Sequence, residues 1–316
     1  MPIRLLAVMD TITMKNGRSW DEVLHNHAQW LEDESKGFRC VLDRETLNEA
    51  KLQAVNLQSA IIRGTTFLDA DMERANLSRA VIDGADFQRA ILSGGDLSGV
   101  QVLETQFCFG FLTGAIFSDA KLRSASFRRA SVREGRFQGA MLEGCKFTGA
   151  ILNSASFHHA RIASSDFSEC DLEKAQFYRA QVRVCRFVGV SGSGANFSSG
   201  SLKGCAFSRS AFTGAKFFQT DLQGANFDRA VLNDSDFREA QLSGADLCRA
   251  ELRNVRFRSA KLFGADLRGA DLTGARELTS AQLAQARTDE TTILPNGARG
   301  PFRRYSGAER PVGVLN

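Results

Sequence analysis

Seven cysteines and four histidines are the side chains of this 316-residue chain best suited to chemistry, and their spacing limits what they can do. Cys40, Cys145, Cys170, Cys185 and Cys205 all stand at multiples of five, with Cys185 and Cys205 twenty apart. If twenty residues return the chain over itself, those two backbones lie about 4.8 Å from each other, close enough for a bridge. The preferred reading is reduced space-filling, because cysteine packs as a small apolar residue. Cys108 and Cys248 fall outside that series and are expected to face outward, which suits a reducing compartment. His158 and His159 are neighbours at a corner, where side chains diverge into solvent rather than share a metal. His25 and His27 have no cysteine or carboxylate at ligand spacing and read as surface or interface residues. The chain contains no zinc-type cysteine pair, no His-Glu-x-x-His, no Gly-x-Ser-x-Gly and no phosphate-cradling glycine loop. No catalytic, metal-binding or cofactor-binding residue is therefore expected, and no cofactor.

What positions these residues is a period of five. From Leu42 to Leu272 every fifth residue is Leu, Ile, Val, Met or Phe, with Gly192 as the one exception in 47 positions. Two residues earlier runs a second column, in which 27 of the 47 members are Ala. Neither a helix nor a strand puts a period of five on one face. Two inward positions in five leave room for one corner, and four corners close a square coil. The next coil then stacks at the strand spacing of about 4.8 Å, giving about 12 coils.

The column chemistry supports twenty residues per coil. Phe recurs at twenty-residue intervals from Phe67 to Phe227 and again, ten residues out of phase, from Phe117 to Phe237. Leu, Ile and Val fill the walls between. Glycine follows the central residue by two at Gly64, Gly84, Gly144 and Gly204, as a turn with positive φ at its third residue would need. Gly192 leaves a gap in this core, and Phe212, twenty residues on, is expected to lean into it.

These residues resemble the pentapeptide-repeat family, whose small–Asp/Asn–Leu/Phe pattern stands here as Ala75-Asn76-Leu77, Ala85-Asp86-Phe87, Ala195-Asn196-Phe197 and Ala265-Asp266-Leu267. The resemblance implies an all-β solenoid, a right-handed four-sided β-helix, and carries no family-wide catalytic residues. His27-Ala28-Gln29-Trp30-Leu31 and Thr291-Thr292-Ile293-Leu294-Pro295-Asn296-Gly297 also resemble segments that flank the repeats in such proteins.

Short helical caps are expected at both ends. Ser19 and Glu22 form a capping box before an amphipathic helix over Trp20–Glu34, and Thr279 or Ser280 starts a second helix. Ile3–Val8 and Thr11–Met14 are candidate strands. The organisation expected is 1–36 as N-terminal segment and capping helix, 37–277 as solenoid, 278–297 as C-terminal cap and 298–316 as a flexible basic tail. The longest early apolar run, Leu5 to Met9, is too short to cross a membrane and lacks a cleavage site after it, so a cytoplasmic protein is expected.

Function then falls to the outer surface. The resemblance brings in topoisomerase-interacting relatives, whose rods imitate duplex DNA by negative charge. Residues 40–272 carry 29 Lys and Arg against 26 Asp and Glu, a net +3, and no loop interrupts the repeat. Both features disfavour DNA gyrase as the partner. Direct nucleic-acid binding could use the stacked column Arg209, Arg229 and Arg249, with Arg128, Arg133 and Arg136 near the middle of the rod. Aspartates dilute that wall and stacking aromatics are missing, so nucleic acid is disfavoured as well. An unidentified protein partner is the leading expectation, contacting outward Ile91, Leu103, Phe109 and Phe111.

Overall fold

The structure, a computed structural model, describes residues 13–15 and 17–311. The candidate strand Ile3–Val8 and the last five residues of the tail lie outside them, as do Thr11 and Ile12; Thr13 pairs antiparallel with Ser19. Eight three-residue strands form one all-parallel sheet in chain order: β1 (Val41–Asp43), β2 (Ile61–Arg63), β3 (Val81–Asp83), β4 (Gln101–Leu103), β5 (Lys121–Arg123), β6 (Met141–Glu143), β7 (Arg161–Ala163) and β8 (Gln181–Arg183). Every pairing is shifted by one coil, as in Leu42↔Ile62 and Ile82↔Val102. Parallel neighbours in chain order, with no helix between them, require the chain to wind round a common axis.

Three more ladders of single bridges keep the same interval, represented by Thr46↔Thr66, Lys51↔Asp71 and Asn56↔Asn76. With the sheet they make four walls, numbered one to four in the order in which the chain meets them. The continuous sheet covers fewer coils than the about 12 that the repeat suggests. Beyond Arg183 wall one continues as single bridges, from Gln181↔Ser201 to Gln241↔Lys261.

Corner chemistry explains that change. At most corners an amide closes back on the central carbonyl three residues earlier, as Val55 N does to Leu52 O (3.1 Å) and Ala60 N to Leu57 O (3.0 Å). The residue before that amide has positive φ, 53° at Ala54 and 59° at Ser59. The conformation expected of glycine is thus real, but glycine is optional, since Arg89, Glu169 and Asp234 adopt it too. Each such non-glycine residue costs about 1 kcal/mol, which the ladder bonds on either side offset. The corner after wall one is open through β8. Among the described residues no amide there reaches the central carbonyl, and the next coil supplies acceptors instead. Cys145 N donates to Ser165 Oγ (3.1 Å) and Ser165 N to Cys185 Sγ (3.5 Å). From Cys205, whose N–H reaches Leu202 O at 3.2 Å, the turn closes and the strand shortens to a bridge.

The interior is filled. Phe rings of successive coils stack nearly parallel, 4.6 Å and 3° apart for Phe67 and Phe87. The two stacks meet edge to face across the axis, as Phe117 and Phe127 do at 5.6 Å and 85°. Both are favoured arrangements, worth about 0.5–1.5 kcal/mol per pair beyond burial. The Asp/Asn column before the central residue serves the backbone: Asp86 Oδ1 accepts from Gln88 N and Asn226 Oδ1 from Asp228 N.

Both ends are closed. Helix α1 (Trp20–Glu32) buries Trp20, Val23 and His27, with Ser19 Oγ accepting from Glu22 N. It stops two residues before the expected Glu34, where Asp33 turns extended. The chain leaves α1 through Gly37, whose φ is +67°; a Cβ there would sit 2.2 Å from the Asn26 carbonyl oxygen. At the far end Thr279 caps the short helix α2 (Ser280–Leu283) in a reciprocal capping box with Gln282. Gln282 Nε2 also donates to Phe257 O (2.8 Å) and Ala260 O (3.0 Å), satisfying carbonyls of the last coils. The segment expected to be a free tail folds back through Pro311: Ile293 pairs with Arg299, Phe302 packs on the core and Ala308 is buried. Phe302 and Ala308 supply the apolar contacts that its arginine-rich composition conceals.

Candidate functional site

The inner thiols have no reactive role in this setting. All seven cysteines are unbridged. Burial pushes the thiols of Cys40, Cys145, Cys170 and Cys185 up to about 12, so they stay protonated. Cys108, expected to face outward, is buried, with Sγ 3.0 Å from Ser126 Oγ of the next coil. The residue just after a central one lies along its wall, and small side chains there, such as Ser78 and Ser168, are covered as well.

Two histidines also differ from expectation. His27 is buried on the inner face of α1, and its Nδ1 accepts from Cys40 N at 3.0 Å. Burial lowers its pKa; the backbone of Gln58 opposes the shift and the charge of Arg39 adds to it. His158 is half-buried rather than solvated, and its Nε2 has no hydrogen-bond partner. Tyr178 of the next coil covers it edge-on at 6.1 Å, which explains the burial. Among the described residues no three His, Cys, Asp or Glu could hold a metal ion, and no helix is long and apolar enough to cross a membrane.

The outer residues sort by wall. Phe109 and Phe111 are 47% and 53% exposed. Phe111 bridges to Ile91 on wall three, and Phe109 occupies the corner before that wall with φ 58°. These three lie along one edge of the rod. Leu103 does not join them. It ends β4 on wall one, two corners from Phe111, because eight residues carry the chain round nearly half a coil. There it lines a shallow groove of about 410 Å³ with Val81 and Met141.

Arg209, Arg229 and Arg249 do form one corner column, with φ near 58° in each. It is not a stripe of free charge, because Asp228 pairs with Arg249 at 2.8 Å and lies 3.7 Å from Arg229. A group of cations that reading by central residue overlooks stands on wall one: Lys121, Arg123, Arg161 and Arg183. The twenty-residue interval reveals it when carried to the positions just before and after each central residue.

The family model for pentapeptide repeats matches this chain in eight copies, spanning residues 69–99, 104–189 and 193–287. None of the curated proteins compared matches it. Among solved structures the chain is similar to QnrB1, a plasmid-mediated fluoroquinolone resistance protein, at 22% identity over 65% of this chain and 90% of that one, with a TM-score of 0.41. It is also similar to HetL of Nostoc sp. strain PCC 7120, a protein involved in heterocyst differentiation regulation, at 22% identity over 79% and 94% of the two chains, with a TM-score of 0.24. A pentapeptide repeat protein of the Arabidopsis thaliana thylakoid lumen shares 31% identity over 29% of this chain and 70% of its own, with a TM-score of 0.20. At these TM-scores the likenesses add nothing to what the repeat itself shows. An unbroken period of five, four ladders with a twenty-residue interval and a family model matched over about two thirds of the length converge: the chain belongs to the pentapeptide-repeat family.

Proposed function

We propose that this protein is a non-enzymatic binding or scaffold solenoid that engages a protein partner along the edge carrying Ile91, Phe109 and Phe111. The observation that carries this reading is that two phenylalanines, 47% and 53% exposed, stand together with Ile91 on one edge, whereas the rod's other exposed ring, Phe263, stands apart from them on wall one. Exposed aromatic side chains are typical anchors of protein contacts. A substrate cleft is what an enzyme would need, and among the described residues the best-formed hollows are shallow grooves on the outer surface. Seven unbridged cysteines support a reducing compartment such as the cytoplasm. Modulation of DNA gyrase by DNA mimicry is the second reading, and it calls for a negative rod. The repeat region here is slightly positive.

The test compares tagged wild type with Phe109→Ser/Phe111→Ser in host lysate. Loss of a specific co-purifying protein is expected, with stability changed by no more than about 0.5 kcal/mol because both rings face outward. Equal recovery by the double variant would overturn this use of the edge.

A further inference from the structure

The charges around the middle of the rod are segregated. Between residues 121 and 186, wall one presents Lys121, Arg123, Arg161 and Arg183, all exposed. Wall two adds exposed Arg128, Lys146 and Arg186 on one flank. On the other flank stand Arg136 of wall four and Arg179 at the corner between walls four and one. Against these nine cations the same surface holds Glu143 and Asp166, and Asp83 stands two coils before Arg123 on wall one, paired with Leu103. Of the nine, only Arg123 makes an ion pair, with Glu143 at 3.3 Å. The C-terminal coils are different: Arg238, Arg249, Arg253 and Arg268 each lie within 2.8 Å of an aspartate.

Apolar side chains interrupt this positive field. Met141 sits between Lys121 and Arg161 on successive rungs of one outward column, and Leu103 precedes Arg123 in the other. Leu103 is 36% and Met141 43% exposed, and with Val81 they line the groove of about 410 Å³ in which Lys121 and Arg123 stand beside Asp83 and Glu143.

We infer that wall one, from Val81 to Arg183, is a docking surface for an acidic peptide segment of a partner protein that also carries apolar side chains. Carboxylates of the segment meet Lys121, Arg123, Arg161 and Arg183. Its apolar residues fill the groove between Val81, Leu103 and Met141. A polynucleotide would match the charge but leave the apolar groove empty, and the aromatic stacking platforms of single-strand binding surfaces are missing apart from Tyr178. This surface lies on the wall opposite Phe111, so the inference does not depend on the role given to Phe109 and Phe111.

The test is fluorescence anisotropy of the full-length protein with short labelled probes: a peptide alternating Glu and Leu, a Glu-only peptide of equal charge, and single-stranded and duplex oligonucleotides. The mixed peptide should bind best, and more weakly as salt is raised. Arg161→Glu/Arg183→Glu should weaken it by about tenfold or more, and Leu103→Ser/Met141→Ser by about severalfold. If the charge-reversed protein does not melt like wild type, Arg161→Gln/Arg183→Gln answers the same question. Binding of the mixed peptide that exceeds that of the other probes and falls in both pairs of variants supports the inference. Absence of binding, equal binding of the Glu-only peptide, tighter binding of either oligonucleotide, or indifference to either pair of substitutions overturns it. Phe109→Ser/Phe111→Ser should leave peptide binding unchanged, which separates failure of this surface from failure of the proposed edge.

Discussion

Phe212 lies against the bare Cα of Gly192: a Cβ built on that glycine would fall 2.2 Å from Phe212 Cε1. The ring is fully buried and meets Phe197 and Phe207 edge to face at 5.6 and 5.7 Å, so it bridges the two stacks while filling the missing side chain's volume. Sequence alone exposes this compensation, because a single break in a 47-member column must be made good by a neighbour in the same wall. Gly192→Leu should overpack the coil and cost about 1–3 kcal/mol. Phe212→Leu should open a cavity and cost about 2–3 kcal/mol. The double variant should regain much of both losses, as restored volume predicts. Chemical denaturation of the four proteins measures the coupling, and additive losses would show the two sites to be independent.

At the scale of elements, one imidazole ties the N-terminal cap to the first coil. Nδ1 of His27 must be unprotonated to accept from Cys40 N, and burial favours that neutral form. The folded pKa lies below the ordinary 6.5, so on acidification the unfolded cap takes up its proton first. The contribution is complete above that ordinary value and is lost as pH falls through it toward the folded pKa. Amide exchange at Cys40, corrected for the intrinsic rate, should therefore lose protection as the pH is lowered from above 6.5 to below it, while rod amides such as Phe147 hold theirs. Equal protection of Cys40 across that range would refute the role of His27. The period of five made walls, columns and ring stacks legible because core packing enforces it. Corners were legible only in part, since positive φ falls on Arg, Glu and Asp with no sign in the residue type. The burial of His27 is hidden for a related reason: its acceptor role comes from a contact thirteen residues away, which helical spacing does not reveal.

At the scale of the whole molecule, charge decides between partners. A duplex mimic needs a continuous negative surface, whereas this rod turns a positive wall outward at mid-length. The purified protein should leave gyrase supercoiling and its quinolone sensitivity unchanged; clear inhibition or protection would revive mimicry. Central residues alone do not reveal that wall, and sequence proximity does not separate Leu103 from Phe111, although two corners part them. The chain's two tryptophans have a practical consequence. Trp20 is buried in α1, and Trp30 stacks on His27 at 5.8 Å beneath the Arg39 guanidinium. Every ring in the stacks is phenylalanine, which contributes nothing to emission excited in the indole band. Tryptophan fluorescence thus watches the lid alone, and a melting curve recorded that way describes the first coil, not the column behind it. Near-ultraviolet dichroism of the stacked benzyl rings gives the complementary trace, and any gap between the two midpoints measures how loosely the lid is tied to the rod.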